Sequence, residues 1–265
     1  MISTTFRNGV LSRRDRIIIS GCLALLTVLA WAYLLYLDRR MSAAMEHDRM
    51  MVDMGMSIDM PWSAADVFFT FAMWTVMMVG MMTASAAPVM LLVAAMHRGR
   101  GARRAPHVVF AFGAGYLLVW TGFSAAAVLA QWGLHRAAML SPAMTTSSAR
   151  LSGAILIAAG TYQLTPFKSA CLTHCRSPLG FLVSRWRDGP GGALCMGIEH
   201  GAYCFGCCWA VMCVLFVVGV MNLVWVAVIA AFVLVEKVGP AGAFVARAGG
   251  VAMIAAGVVV WAVNL

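Results

Sequence analysis

The sequence predicts an all-α fold, a polytopic transmembrane helical bundle of about seven helices. Three observations carry that expectation. Hydrophobic residues make up 62% of the 265 positions against 11% charged, and mean hydropathy is +0.87, a composition suited to lipid as the solvent. Apolar runs near the length needed to cross about 30 Å of hydrocarbon recur along the chain, and they do not alternate apolar with polar as a membrane barrel would. The arginines and lysines fall mainly between those runs.

That last pattern also disposes of the net charge of +9. Basic residues scattered in the connections set membrane topology and make no nucleic-acid surface. The eight cysteines lie mostly in or beside predicted membrane segments, where metal or redox chemistry explains them better than a disulfide scaffold does.

Three regions follow. Residues 1–40 read as a signal-anchor helix: Arg7, Arg13, Arg14 and Arg16 precede the run Ile17 to Leu37, with no small-residue cleavage site before Asp38-Arg39-Arg40, so the segment is retained. Its basic flank places the N-terminus in the cytoplasm. Residues 41–61 read as an extracytoplasmic loop too polar to span, in which Met41, Met45, Met50, Met51, Met54, Met56 and Met60 alternate with acids and His47. Thioethers at that density suit capture of Cu(I) in an oxidising compartment. Residues 62–265 form a six-helix metal-binding domain.

Within it, the second helix covers about Trp62 to Ala95 and sets Met73, Met77 and Met81 on one face. A basic loop, His97 to Arg104, leads to the third helix, near His107 to Trp132, and the fourth follows at about Leu151 to Leu164. Pro166 and Pro178 then bracket a short interfacial or re-entrant piece carrying Cys171, His174 and Cys175, in which one helical turn would present both sulfurs on one face. The fifth helix, Gly192 to Gly219, holds Met196, His200, Cys204, Cys208 and Met212 at successive i+4 positions, with Cys207 beside them and the acid Glu199. That stripe consists of soft or borderline metal ligands in an apolar run where polar groups are costly. The sixth helix, Asn222 to Val235, ends at Glu236-Lys237, read as a boundary ion pair, and the seventh runs from Ala243 to Val263. With seven spans the C-terminus is extracytoplasmic, and the protein belongs in the inner (plasma) membrane.

The segment Arg150 to Gly160 resembles Arg247 to Gly257, and Trp74-Thr75-Val76-Met77-Met78 echoes Trp209-Ala210-Val211-Met212-Cys213. Helices two to four therefore repeat as helices five to seven. Three-helix units in tandem are inverted across the membrane, with sites expected at their interface. Under this alignment Met73 matches Cys208 and Met77 matches Met212.

Several of these residues form a familiar set: Trp74 with Met77-Met78, Tyr162-Gln163-x-Thr165-Pro166-x-Lys168, Cys171 with Cys175-Arg176-x-Pro178, and Gly206-Cys207-Cys208-Trp209 with Glu236-Lys237. The combination resembles the uncharacterised family of predicted metal-binding integral membrane proteins over roughly residues 60 to 265. The resemblance implies metal binding and no particular reaction.

The first functional expectation is Cu(I) binding, transfer or delivery through His200, Cys204, Cys207, Cys208, Met212, Met73, Met77, Met196, Cys171, Cys175 and His174. Thioether and thiolate select Cu(I) or another soft transition metal, and the scarcity of membrane carboxylates counts against manganese, magnesium or di-iron. Glu199 would balance charge or take a proton. A different class of function is a thiol-disulfide electron relay, for which Cys204 and Cys207 have suitable spacing. A third is a metal-dependent oxidase or monooxygenase, or an accessory subunit of one; the sequence assigns no catalytic residue. Expected partners are the lipid bilayer and a metal donor or acceptor protein or a membrane oxidase complex, with no nucleic acid.

Overall fold

The computed structural model describes residues 11–53, 62–99, 105–137 and 148–263. Among them every regular element is helical: α1 (Arg13–Asp53), α2 (Ala64–Gly99), α3 (Ala105–Arg136), α4 (Ala149–Gln163), α5 (Pro166–Arg176), α6 (Pro178–Arg185), α7 (Gly189–Cys213), α8 (Leu215–Val218), α9 (Leu223–Val238) and α10 (Gly242–Val263). Among the described residues five segments are long and apolar enough to cross a membrane: Arg13–Met41, Ala64–Arg98, Pro106–Arg136, Gly189–Val218 and Gly242–Val263. The expected fourth and sixth helices exist as α4 and α9 but are only 15 and 16 residues long, about 22 to 24 Å at the helical rise. The predicted seven thus divide into five full-length helices and two short ones. Large apolar side chains such as Ile17, Val28, Phe110, Val224, Phe244 and Val263 lie on the outer surface, as they should where hydrocarbon replaces water.

Local chemistry sets the helix ends. Ser63 and Asp66 form a reciprocal capping box ahead of α2, the Ser63 N–H donating to Asp66 Oδ2 at 2.8 Å and the Asp66 N–H to Ser63 Oγ at 3.3 Å. Thr165 caps α5 by accepting the Lys168 N–H, with Pro166 in its first turn, and Pro178 likewise opens α6. The Pro-bracketed piece is therefore one short helix, α5, which breaks at Ser177 before a second, α6, begins at Pro178. Part of the stretch predicted as a methionine-rich loop continues α1 as far as Asp53; residues 54–61 lie outside the described residues.

The core is built on α2, α3 and α7. Gly80 of α2 lies against Ala30 and Trp31 of α1, and an ion pair joins Arg98 to Asp15 at 2.6 Å, so α1 and α2 run antiparallel. Contacts between α3 and α7 rise together in number, from Phe112 with Gly197, through Tyr116 with Gly201, to Trp120 with Phe205. These two helices are parallel. Their approach is backbone to backbone: a Cβ on Gly197 would strike the Phe112 carbonyl, and one on Gly115 would strike that of Leu194. Glycine here shortens the interhelical distance, as small residues do in membrane bundles.

A second glycine contact joins α4 to α10 and bears on the internal repeat. Added at Gly153, a Cβ would lie 2.9 Å from the Gly257 carbonyl oxygen, and one at Gly250 would lie 3.0 Å from that of Gly160. Gly153 and Gly250 are equivalent in the two repeats, as are Gly160 and Gly257. Each repeat thus meets the other through the same pair of positions, the reciprocity of a two-fold contact.

Gly197→Ala should lower thermal stability in mild detergent by roughly 1–3 kcal/mol or more through overpacking, while Gly122→Ala, where a Cβ meets nothing within 4 Å, should leave the melting temperature unchanged.

Candidate functional site

The tight α3–α7 seam brings the middle of α7 into the core, where Met196, His200, Cys204, Cys207, Cys208 and Met212 are all buried. The stripe predicted from spacing is real, but its members have different neighbours. His200 sits among the rings of Phe112, Tyr116 and Phe181 at 5.3 to 5.9 Å, and its Nδ1 has no hydrogen-bond partner. The Met196 sulfur accepts the Arg187 N–H at 3.4 Å. Glu199 pairs with Arg187 at 2.6 Å and is partly exposed, the segment before α7 folding back along the helix to reach it. Met73 and Met77 are buried in the same core on α2.

The sulfurs meet where α5 lies on α7. Cys175 Sγ is 3.9 Å from Cys207 Sγ. Cys171 faces α7 across Gly206, where a Cβ would come within 2.8 Å of its sulfur, so the glycine is what admits it. Burial pushes the Cys171 thiol above its ordinary value, with Cys207 a second cause. In α7 itself the Cys207 and Cys208 thiols donate to the Cys204 carbonyl at 3.1 and 2.9 Å. All eight cysteines are free. His174 stands apart on the exposed side of α5, stacked on Tyr203 at 4.4 Å with its Nδ1 on the Ala170 carbonyl. Among the described residues no three of His, Cys, Asp and Glu converge as a ready-made metal cage; the thiols are neighbours pair by pair.

Three participants were not picked out by sequence reasoning. Lys237 of α9 points into the core, its Nζ 2.9 Å from Cys204 Sγ, 3.7 Å from Cys208 Sγ, 3.8 Å from Met82 Sδ and 3.5 Å from Ser85 Oγ. The Tyr116 hydroxyl lies 3.0 Å from Cys204 Sγ. The thioether at this ammonium is therefore Met82, more than one turn beyond the predicted Met77 and more than two beyond Met73.

The expected Glu236–Lys237 ion pair does not form. Successive helical residues project about 100° apart, and Glu236 turns the other way, to Lys168 Nζ at 2.5 Å and Gln163 Nε2 at 2.8 Å. Lys168 also donates to the Gln163 carbonyl oxygen. Lys168 and Glu236 are fully buried, and Arg176 donates to the Glu236 backbone carbonyl at 2.6 Å. This network ties α4, α5 and α9 together and fixes the helix that carries Cys171 and Cys175.

Lys168→Met should cost about 3–5 kcal/mol, because it strands a buried carboxylate. Combining it with Glu236→Leu should recover much of that loss in the same detergent melt, and the single variant should also expose Cys171 to a thiol reagent.

Comparison with known proteins adds the family. No curated protein and no solved structure matches the chain. The family model described as PpoB2, copper chaperone, matches residues 71–260, a span that takes in α3 to α9 complete, nearly all of α2 and most of α10, with every cysteine of the cluster. The resemblance to a metal-binding membrane family is thereby narrowed to copper: the chain belongs to the PpoB2 copper chaperone family.

Proposed function

We propose that the chain takes up Cu(I) in the membrane and passes it to an acceptor, with thiols of α5 and α7 as the ligands. The observation that carries this reading is the approach of Cys175 to Cys207, two thiols from different helices whose sulfurs are 3.9 Å apart. With metal–sulfur bonds of about 2.3 Å, as for a first-row metal on thiolate, such sulfurs subtend ~116° at a shared ion. That angle suits three-coordinate Cu(I), and soft sulfur donors favour this ion over harder metals. Cys171, across Gly206 from the pair, is the nearest further sulfur on the outer side, and Cys204 with Cys208 continues the set inward.

Transfer in this reading is ligand exchange. Each thiol that takes the ion releases its proton, each that gives it up regains one, and no electron moves. Cys171, Cys175 and His174 on the more accessible helix form the receiving end; Cys207, Cys204, Cys208 and the thioethers of Met82, Met77, Met73, Met196 and Met212 form the inner end, with His200 held in reserve by its ring cage. The partners are a copper donor and an acceptor, which includes a membrane oxidase complex awaiting its metal. An inner-membrane placement with the N-terminus in the cytoplasm agrees with Arg185 and Arg187 preceding α7 at the end where α3 also begins.

The same thiol pair also favours a disulfide relay, and one experiment separates the two. Full-length protein, purified in mild detergent under reductant and loaded with Cu(I), should hold stoichiometric copper by elemental mass spectrometry. Cys175→Ser and Cys207→Ser should each weaken retention against a Cu(I) chelator by about tenfold or more. Absence of copper after loading, with a Cys175–Cys207 disulfide that cycles with reductant, would replace the chaperone reading by the relay.

A further inference from the structure

Lys237 raises a question of charge that the copper route alone leaves open. A lysine ammonium in a protein core is costly unless matched, and the carboxylate beside it in sequence is committed to Lys168. The described partners of its Nζ are two thiols, a thioether and a serine hydroxyl. The Lys168–Glu236 pair on the other side of α9 is neutral as a unit, and so is Arg187–Glu199. The Cys204–Cys208 corner is therefore a sulfur site with one built-in positive charge.

We propose that Lys237 determines which metals the Cys204–Cys208 pair accepts, by making the pair electroneutral with a monovalent ion and not with a divalent one. This rests on the Cu(I) reading above and goes beyond it. Binding by both sulfurs releases two thiol protons and leaves two thiolates. One cuprous ion and one ammonium cancel their charge; zinc or cadmium in the same place leaves an excess positive charge in an apolar core. Softness prefers Cu(I) to zinc but does little to exclude cadmium, so the ammonium adds discrimination that ligand type does not supply. The position suits the task, since Nζ reaches both sulfurs from α9, while Met82 of α2 meets the same ammonium and Tyr116 of α3 meets the Cys204 sulfur. Lys237 acts through the thiolates and is a specificity-determining residue, not a ligand.

The test compares two ions on one protein. In the full chain carrying Cys175→Ser and Cys207→Ser, so that Cys204 and Cys208 are read separately, Cu(I) and Cd(II) affinities are measured by chelator competition and by thiolate-to-metal absorption. Lys237→Leu should weaken Cu(I) by about a hundredfold, the order expected for losing one unit charge a few ångströms away in a protein interior, and should strengthen Cd(II). Lys237→Arg should keep the original preference. A variant that merely loosened the fold would weaken both ions, so parallel losses, or no change in either, overturn the proposal while leaving the chaperone reading intact. Failure of the unsubstituted chain to bind Cu(I) at all overturns that reading and this proposal with it. Lys237→Gln, which retains a donor to sulfur without the charge, carries the same expectation if the leucine variant does not fold.

Discussion

A positive charge shut inside an apolar bundle constrains everything around it. Moving an ammonium out of water costs several kcal/mol even after relaxation, and here the compensation comes from sulfur and hydroxyl groups on two other helices, α2 and α7. α9 must therefore be placed so that Lys237 meets α2 and α7, and α7 must lie close enough to α3 for Tyr116 to reach the same thiol. The neighbouring Glu236 is turned away by the helical step and needs its own partner, which α5 provides as Lys168. Two adjacent residues on one short helix thus organise two separate polar centres, one holding the sulfurs and the other holding the helix that brings more sulfur to them.

Glycine makes both centres geometrically possible. At Gly115 and Gly197 the backbones of α3 and α7 touch, which draws Tyr116 over Cys204. Gly206 does the same on the opposite side of α7, where its missing side chain is the space that the Cys171 sulfur uses. The Tyr162 hydroxyl donates to the Gly206 carbonyl at 2.5 Å, so the same residue anchors α4 as well. A bundle packed through larger residues would hold its helices farther apart, and the thiols of α5 and α7 would no longer be in contact.

Much of this was legible from composition and spacing. Length and hydropathy located six of the seven expected helices to within about six residues, while α1 runs on to Asp53 through what reads as a loop; Pro166 and Pro178 marked the starts of α5 and α6, and the i+4 stripe on α7 identified the buried face correctly. What sequence could not supply was direction around a helix axis for residues outside a periodic pattern. Glu236-Lys237 looked like one ion pair because the two are adjacent, yet adjacency on a helix separates side chains. Lys237 did carry a signal, a charge ending an apolar run. Met82 was hidden among equally plausible methionines of α2, and Tyr116 had nothing to mark it, since its role depends on a glycine seam between helices far apart in the chain.

The pairwise arrangement of the thiols has a chemical consequence. A preformed cage of three or four converging ligands holds a metal tightly and gives it up slowly, which suits a structural site. Here Cys175 faces Cys207, the Cys207 and Cys208 thiols share the Cys204 carbonyl, and Cys204 shares Lys237 with Cys208, so the two pairs lie side by side along α7. Cu(I) accepts two or three sulfur ligands, and a site built this way lets a new ligand join before an old one leaves. The ion is then never stripped bare in the apolar interior, where desolvation would be most costly. In the proposed reading, neighbouring pairs, a soft ion and a fixed positive charge beside the inner pair are mutually consistent requirements of passing copper along, and the thiols and the charge are placed by the contacts of α5 on α7 and of α9 on α2 and α7.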